Sequence, residues 1–329
     1  MSVRAFKLLF YSGMSLAALL PLQAVTLTEN FSTDPLPHGW RIFGDTNLFR
    51  WNTTNQNLDV TWDSSHTNSY FYLPLSNILC KSDNFSLSFD LVLKDYVIGT
   101  TPGRPYTFPV AVGFLNLINA TQTNFARGSG VNSVYGPKNL VEFDFFPAFD
   151  IFLPTIDQVV VSTNNTWLYN HDNLLDMPPG DLFHINMDYN STTRTLSTTI
   201  TRNGFQYGST QSIQVPANSF DFRVAAVSVS SYSDQQADGS ILAHGTVDNI
   251  VVTTPPPPVQ NLRGYFTSTQ WHVEFLSRSN WLYTLQRTTD FATWTNVSPD
   301  TPGIAGTLIL PDANAPKDKA SYRVTAIRL

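Results

Sequence analysis

The stretch HINMDYNSTTRTLSTTIT, residues 184–201, alternates apolar and polar side chains through Ile185, Met187 and Tyr189, breaks at Asn190-Ser191-Thr192-Thr193, and resumes from Thr195 to Thr201. A period of two sends successive side chains to opposite faces of an extended chain, so the pattern predicts a β-hairpin with one buried face. Asn203-Gly204 follows, a pair that tolerates positive φ and predicts a second tight turn. Outward from this hairpin the same signal recurs in NLDVTW, SYFYLPL, NFSLSFDLVL, TFPVAVGFLN, NLVEFDFF, DQVVVST, FRVAAVSVS and ILAHGTVDNIVV, punctuated by Gly, Pro, Asn and Asp. Nothing of helical period lies between them. Glutamate occurs only at Glu29, Glu142 and Glu274, so good helix formers are scarce and the class is all-β, a two-sheet antiparallel sandwich.

Pro255–Pro258 bounds this region. Consecutive prolines form a stiff extended spacer and cannot join a sheet ladder, so residues 25–254 and 259–329 are expected to be separate domains. The second repeats the strand signal in NLRGYFTST, QWHVEFL, WLYTLQRTT, ATWTNV, GTLILPD and ASYRVTAI. With Trp271, Trp281 and Trp294 it reads as a smaller β-sandwich with an aromatic core.

Composition excludes other classes. With 42% apolar, 13% aromatic and 13% charged residues, the 329-residue chain is neither disordered nor a nucleic-acid coat. MSVRAFKLLFYSGMSLAALLPLQA, residues 1–24, places Arg4 and Lys7 before an apolar run and offers Ala24 as a cleavage point, the pattern of a signal peptide rather than a membrane anchor. Cleavage there predicts a secreted or cell-surface protein with no membrane insertion of the mature chain. The mature chain carries 17 basic against 25 acidic residues, a net charge of −8, which removes nucleic acid as a partner. Cys80 stands alone, so no internal disulfide can form and stability must come from a sizeable core. Sequons at Asn30, Asn52, Asn84, Asn119, Asn164, Asn190 and Asn296 are no more than an Asn- and Thr-rich chain supplies by chance.

The hairpin, the strand NLVEFDFF and the closing strand GTVDNIVV together resemble concanavalin A-like lectins, laminin G-type domains and laminarinase-type glucanases over most of residues 25–254. The resemblance implies a jelly-roll sandwich with the VEFD strand on its concave sheet. The C-terminal module resembles an immunoglobulin or fibronectin type III domain, and the whole chain resembles secreted bacterial proteins built this way. Such folds host enzymes, lectins and adhesins alike.

Glucanases of this kind place Glu-x-Asp-x-x-Glu, or the same with one residue fewer, on one strand so that two carboxylates face one cleft. Glu142 and Asp144 match the first two positions, but Phe146 and Pro147 stand at both places for the second Glu, which disfavours retaining hydrolysis. In legume-type lectins the same strand holds metal. The later ligand positions are here Ala148, Leu153 and Gln158, so no cofactor is expected, with calcium on Asp144, Asp150 and Asp157 as the alternative. The simplest reading of Glu142 and Asp144 is a hydrogen-bonded polar pair on a half-solvated sheet face. The six histidines show no ligand spacing. Alternation sends Phe143 and Phe145 into the core, and core packing is also the commoner fate for Trp40, Trp51 and Trp62, leaving loop aromatics such as Phe149, Phe152 and Tyr106 to stack on sugars. The resulting expectation is a non-catalytic module for an extracellular polysaccharide or a cell-surface partner, with Glu142, Asp144, Phe149 and Tyr106 as its ligand-binding residues. A polysaccharide-active glycosidase or lyase with a divergent site, and a structural protein without a small ligand, are the alternatives.

Overall fold

The computed structural model describes residues 24–129, 136–148, 153–170, 173–267, 270–316 and 318–329. The expected signal segment lies outside these up to residue 23. Two compact units are formed, Ala24–Pro258 and Val259–Leu329.

In the larger unit one sheet has nine strands. Its path runs Phe205–Gln206, Thr195–Arg202, Phe183–Asn190, Phe85–Ile98, Ile241–Thr254, Asn57–Asp63 and Phe49–Asn52, with Val25–Glu29 added to Ile241–Thr254 and Gln211–Gln214 to Thr195–Arg202. The other has seven strands, in the order Trp167–Tyr169, Thr155–Val161, Leu140–Phe146, Val110–Leu115, Val224–Ser231, Ser69–Leu79 and Arg41–Phe43. Every pairing between these strands is antiparallel, giving a jelly-roll sandwich. The decisive hairpin pairs Ile185 with Ile200 and Asn190 with Thr195; Ile185, Met187 and Tyr189 are buried while His184 and Asp188 face water. Asn190 Oδ1 accepts from the Thr192 and Thr193 amides at 2.9 and 3.1 Å, which closes the turn. Asn203 and Gly204 both take positive φ, 51° and 84°, as a twisted two-residue turn requires.

Aromatic rings join the sheets across the core. Phe89 meets Phe143 edge-on at 5.8 Å, Phe85 meets Phe114 at 5.2 Å, and Tyr96 meets Phe145 at 6.4 Å. Phe143 and Phe145 therefore point inward, which fixes the opposite direction for Glu142 and Asp144. Trp40 and Trp62 are buried, and Trp40 stacks on Phe71 at 4.7 Å. Cys80 is buried outside any disulfide, its Sγ 3.2 Å from Ser82 Oγ.

The smaller unit has a three-stranded sheet, Val259–Thr267, Gln270–Ser277 and Thr307–Asp312, and a four-stranded one, Thr295–Asn296, Trp281–Thr288, Thr301–Pro302 and Ser321–Arg328. Val273, Phe275, Trp281, Tyr283, Leu285, Leu308 and Leu310 make its core. Trp271 is only partly buried, stacked on Tyr322 at 5.3 Å, and Trp294 lies outside the core beneath the Arg323 guanidinium at 4.1 Å. The expected three-tryptophan core is thus reduced to Trp281, because a unit this small has only a few interior positions. Among the described residues no helix is long and apolar enough to cross a membrane.

Candidate functional site

The strand Leu140–Phe146 lies between Val110–Leu115 and Thr155–Val161, and the register sets Glu142 beside Gly113 and Val159, and Asp144 beside Ala111 and Asp157. On this outer face the two carboxylates are not half-solvated, as alternation alone suggested: Glu142 is 2% and Asp144 0% exposed. Alternation tells which side chains share a face and says nothing of what covers it. Here the cover comes from the short helical turn Arg127–Ser129 and from Tyr232.

Arg127 is itself buried. Its Nε donates to Glu142 Oε2 at 3.1 Å and its Nη2 donates to Asp144 Oδ2, while the Tyr232 hydroxyl donates to Glu142 Oε1. The guanidinium also lies 4.6 Å from the centre of the Trp167 ring and 6.0 Å from that of Tyr232. Trp167 is steadied in turn by donating its Nε1 hydrogen to Asn165 Oδ1 at 2.7 Å. Burial alone would push the Arg127 pKa down, but the Asp144 and Glu142 charges outweigh it, so the group stays cationic. For the carboxyls burial wins. Asp144 is held well above the ordinary carboxylate range by desolvation, partly offset by Arg127 and reinforced by Glu142 and Asp157, and Glu142 is raised more mildly for the same first reason. Burial, then the Glu142 charge, keeps the Tyr232 phenol well above its usual value and therefore a proton donor.

This cluster adjoins an open cleft of about 320 Å3, walled by Tyr106, Phe146, Trp167 and Tyr169 and reaching Arg127 and Asp157. Its far wall is a pair of latched loops. Tyr106 forms a parallel bridge with Gly239, where a Cβ would sit 2.0 Å from the Thr107 carbonyl oxygen, so only glycine allows the approach. Buried Asp234 pins both loops, accepting from Thr101 Oγ1 at 2.6 Å, from Ser64 Oγ at 3.0 Å and from Arg104. Tyr106 is 48% and Tyr169 44% exposed at the rim.

Of the residues picked out from the sequence, Tyr106 lines the cleft, and Glu142 and Asp144 lie behind it, sealed by Arg127. Phe149, Phe152 and Asp150 fall outside the described residues. Arg127, Trp167, Tyr169 and Tyr232 escaped sequence reading. Trp167 and Tyr169 sit on a strand of only three residues, too short for a period to register, and the FARGSG context of Arg127 carries no pattern at all.

The carboxylate arrangement is a poor fit for the divalent cation the resemblance implied. Three of its four oxygens already accept from Arg127 or Tyr232, and only Asp144 Oδ1 has no partner among the described residues. Gln158, standing where that pattern wants a histidine, donates instead to the Gln211 carbonyl at 3.1 Å. Among the described residues no group of three His, Cys, Asp or Glu side chains is placed to hold a metal. Nor does the cleft present a paired set of free glutamates: Phe146 lines it at one of the places a second Glu would occupy, and Pro147 is buried.

No family model matches the chain, and no curated protein matches it. Among solved structures it is similar to peanut lectin, with 16% identity over 69% of this chain and 98% of that one and a TM-score of 0.44. It is also similar to lectin II from Ulex europaeus, at 13% identity, 70% and 98% coverage and a TM-score of 0.46. A third is the Emp47p carbohydrate recognition domain, at 12% identity, 68% and 94% coverage and a TM-score of 0.38.

Proposed function

We propose that the protein binds carbohydrate, without catalysis, in the cleft beside Tyr106, Trp167 and Tyr169. The observation that carries this reading is the composition of the cleft: aromatic rings exposed at an open rim, beside a polar cluster fixed in place by its own hydrogen bonds. Pyranose rings offer apolar faces to such walls and hydroxyls to such polar groups. The absence of catalysis is inferred from Glu142 and Asp144, three of whose four oxygens accept from Arg127 and Tyr232 and which are shielded from water. The ligand is an extracellular polysaccharide or cell-surface glycan, in keeping with the signal-like N-terminus. The smaller unit, with its three- and four-stranded sheets, is an immunoglobulin- or fibronectin-like module set apart by Pro255–Pro258.

A rim site leaves much of a sugar hydrated, so affinities of about −4 to −8 kcal/mol, millimolar to micromolar, are expected. A glycan array and pull-downs with insoluble polysaccharides test the reading, with laminarin, lichenan and agarose also assayed for reducing-sugar release. Binding without hydrolysis supports it. Hydrolysis lost in Glu142→Gln would replace it with the enzyme, and silence across the panel with a structural role.

A further inference from the structure

We propose that Arg127 is a built-in cation: its guanidinium occupies the charge position that a divalent ion would take between Glu142 and Asp144, and it pins the Arg127–Ser129 turn against the sheet with no metal. The assignment rests on geometry and does not require the carbohydrate reading. One guanidinium reaches both carboxylates through different nitrogens, at 3.1 Å to Glu142 and in a shorter bond to Asp144, and is only 7% exposed. Asp157 is the register partner of Asp144 and is also fully buried. Two acidic side chains thus share one fixed positive charge, with a third beside Asp144 on the neighbouring strand. A planar guanidinium supplies directed donors to two carboxylates at once, and burial beneath Trp167 keeps it from being solvated away.

Two consequences distinguish this arrangement from a metal site. The folded protein needs no ion, because the positive charge is covalently part of the chain. Removing that charge should also expose a latent cation site, since buried carboxylates left without a counter-charge will recruit a hard cation with oxygen ligands. Asp144 Oδ1, already without a partner among the described residues, would be one donor.

Terbium is the probe, because an indole beside a bound lanthanide transfers excitation to it and Trp167 lies 4.6 Å from the Arg127 guanidinium carbon. The wild-type protein should show no tryptophan-sensitised terbium emission from this site, and an unchanged melting temperature in chelator and in calcium. Arg127→Ala should gain terbium emission several-fold above wild type, bind calcium at least roughly tenfold tighter, and lose the emission again when combined with Trp167→Phe. Arg127→Lys, which keeps the charge, should stay dark. If Arg127→Ala is unfolded in chelator, millimolar calcium should restore its circular dichroism. Calcium stabilisation of the wild type overturns the assignment, as does an Arg127→Ala protein that neither binds terbium when folded nor refolds with calcium.

Discussion

Replacing Arg127 by Met would keep much of the side-chain volume but leave two buried carboxylates without their counter-charge, and breaking a buried pair in this way costs about 3–5 kcal/mol. Urea denaturation of Arg127→Met should show that loss in metal-free buffer. Asp144 gives a pH-dependent counterpart. Its folded-state pKa is raised, first by burial, above an ordinary value of 3.8, so its contribution to stability is fully present below that pH and is lost as pH rises through the folded-state value. Asp144→Asn carries no such titration, so the melting temperature of the variant relative to wild type should improve as pH rises above the ordinary value of 3.8. A difference that is flat, or that falls, would mean that the ionised pair with Arg127 outweighs desolvation. Tyr106 was legible in the sequence because an aromatic in a Pro- and Gly-rich loop has no core to enter. Arg127 was not, because its meaning depends on a strand 15 to 17 positions later folding back beneath it.

Strands carried most of their own information. The hairpin of residues 183–202 was readable to its turn residues, since burial of Ile185, Met187 and Tyr189 permits one register only. Short strands such as Arg41–Phe43 and Trp167–Tyr169 were unreadable, because three residues cannot display a period. TFPVAVGFLN becomes a strand only from Val110, as Pro109 lacks an amide for the ladder and the residues before it turn away to line the cleft. The Asn203-Gly204 turn allows a test at this scale. Gly204 sits at φ 84° with open space around it, so Gly204→Ala meets no neighbour and costs only the strain of a Cβ in the left-handed region, about 1–2 kcal/mol. A thermal melt showing no loss would mean that the turn adopts another conformation.

The whole chain divides where the four prolines stand, and the two hydrophobic cores share no residue. Residues 25–254 and 259–329 produced separately should therefore each unfold cooperatively, a result that calorimetry can check; if neither folds alone, they form one cooperative body. Fold class and the inward side of Phe143 and Phe145 could be worked out from periodicity, because burial imposes it, and the boundary from the four consecutive prolines, which cannot join a ladder. The cleft could not, since its walls come from loops and strand ends whose positions are set by the folded sheet rather than by local pattern. The most direct test of the carbohydrate reading is calorimetric titration of the best array ligand into wild-type protein and into a Tyr106→Ala/Tyr169→Ala double variant. Ring stacking of about 0.5–1.5 kcal/mol per residue predicts that the double variant binds roughly tenfold more weakly, with an unchanged melting temperature. Equal affinity in the two proteins would contradict the placement of the ligand in this cleft.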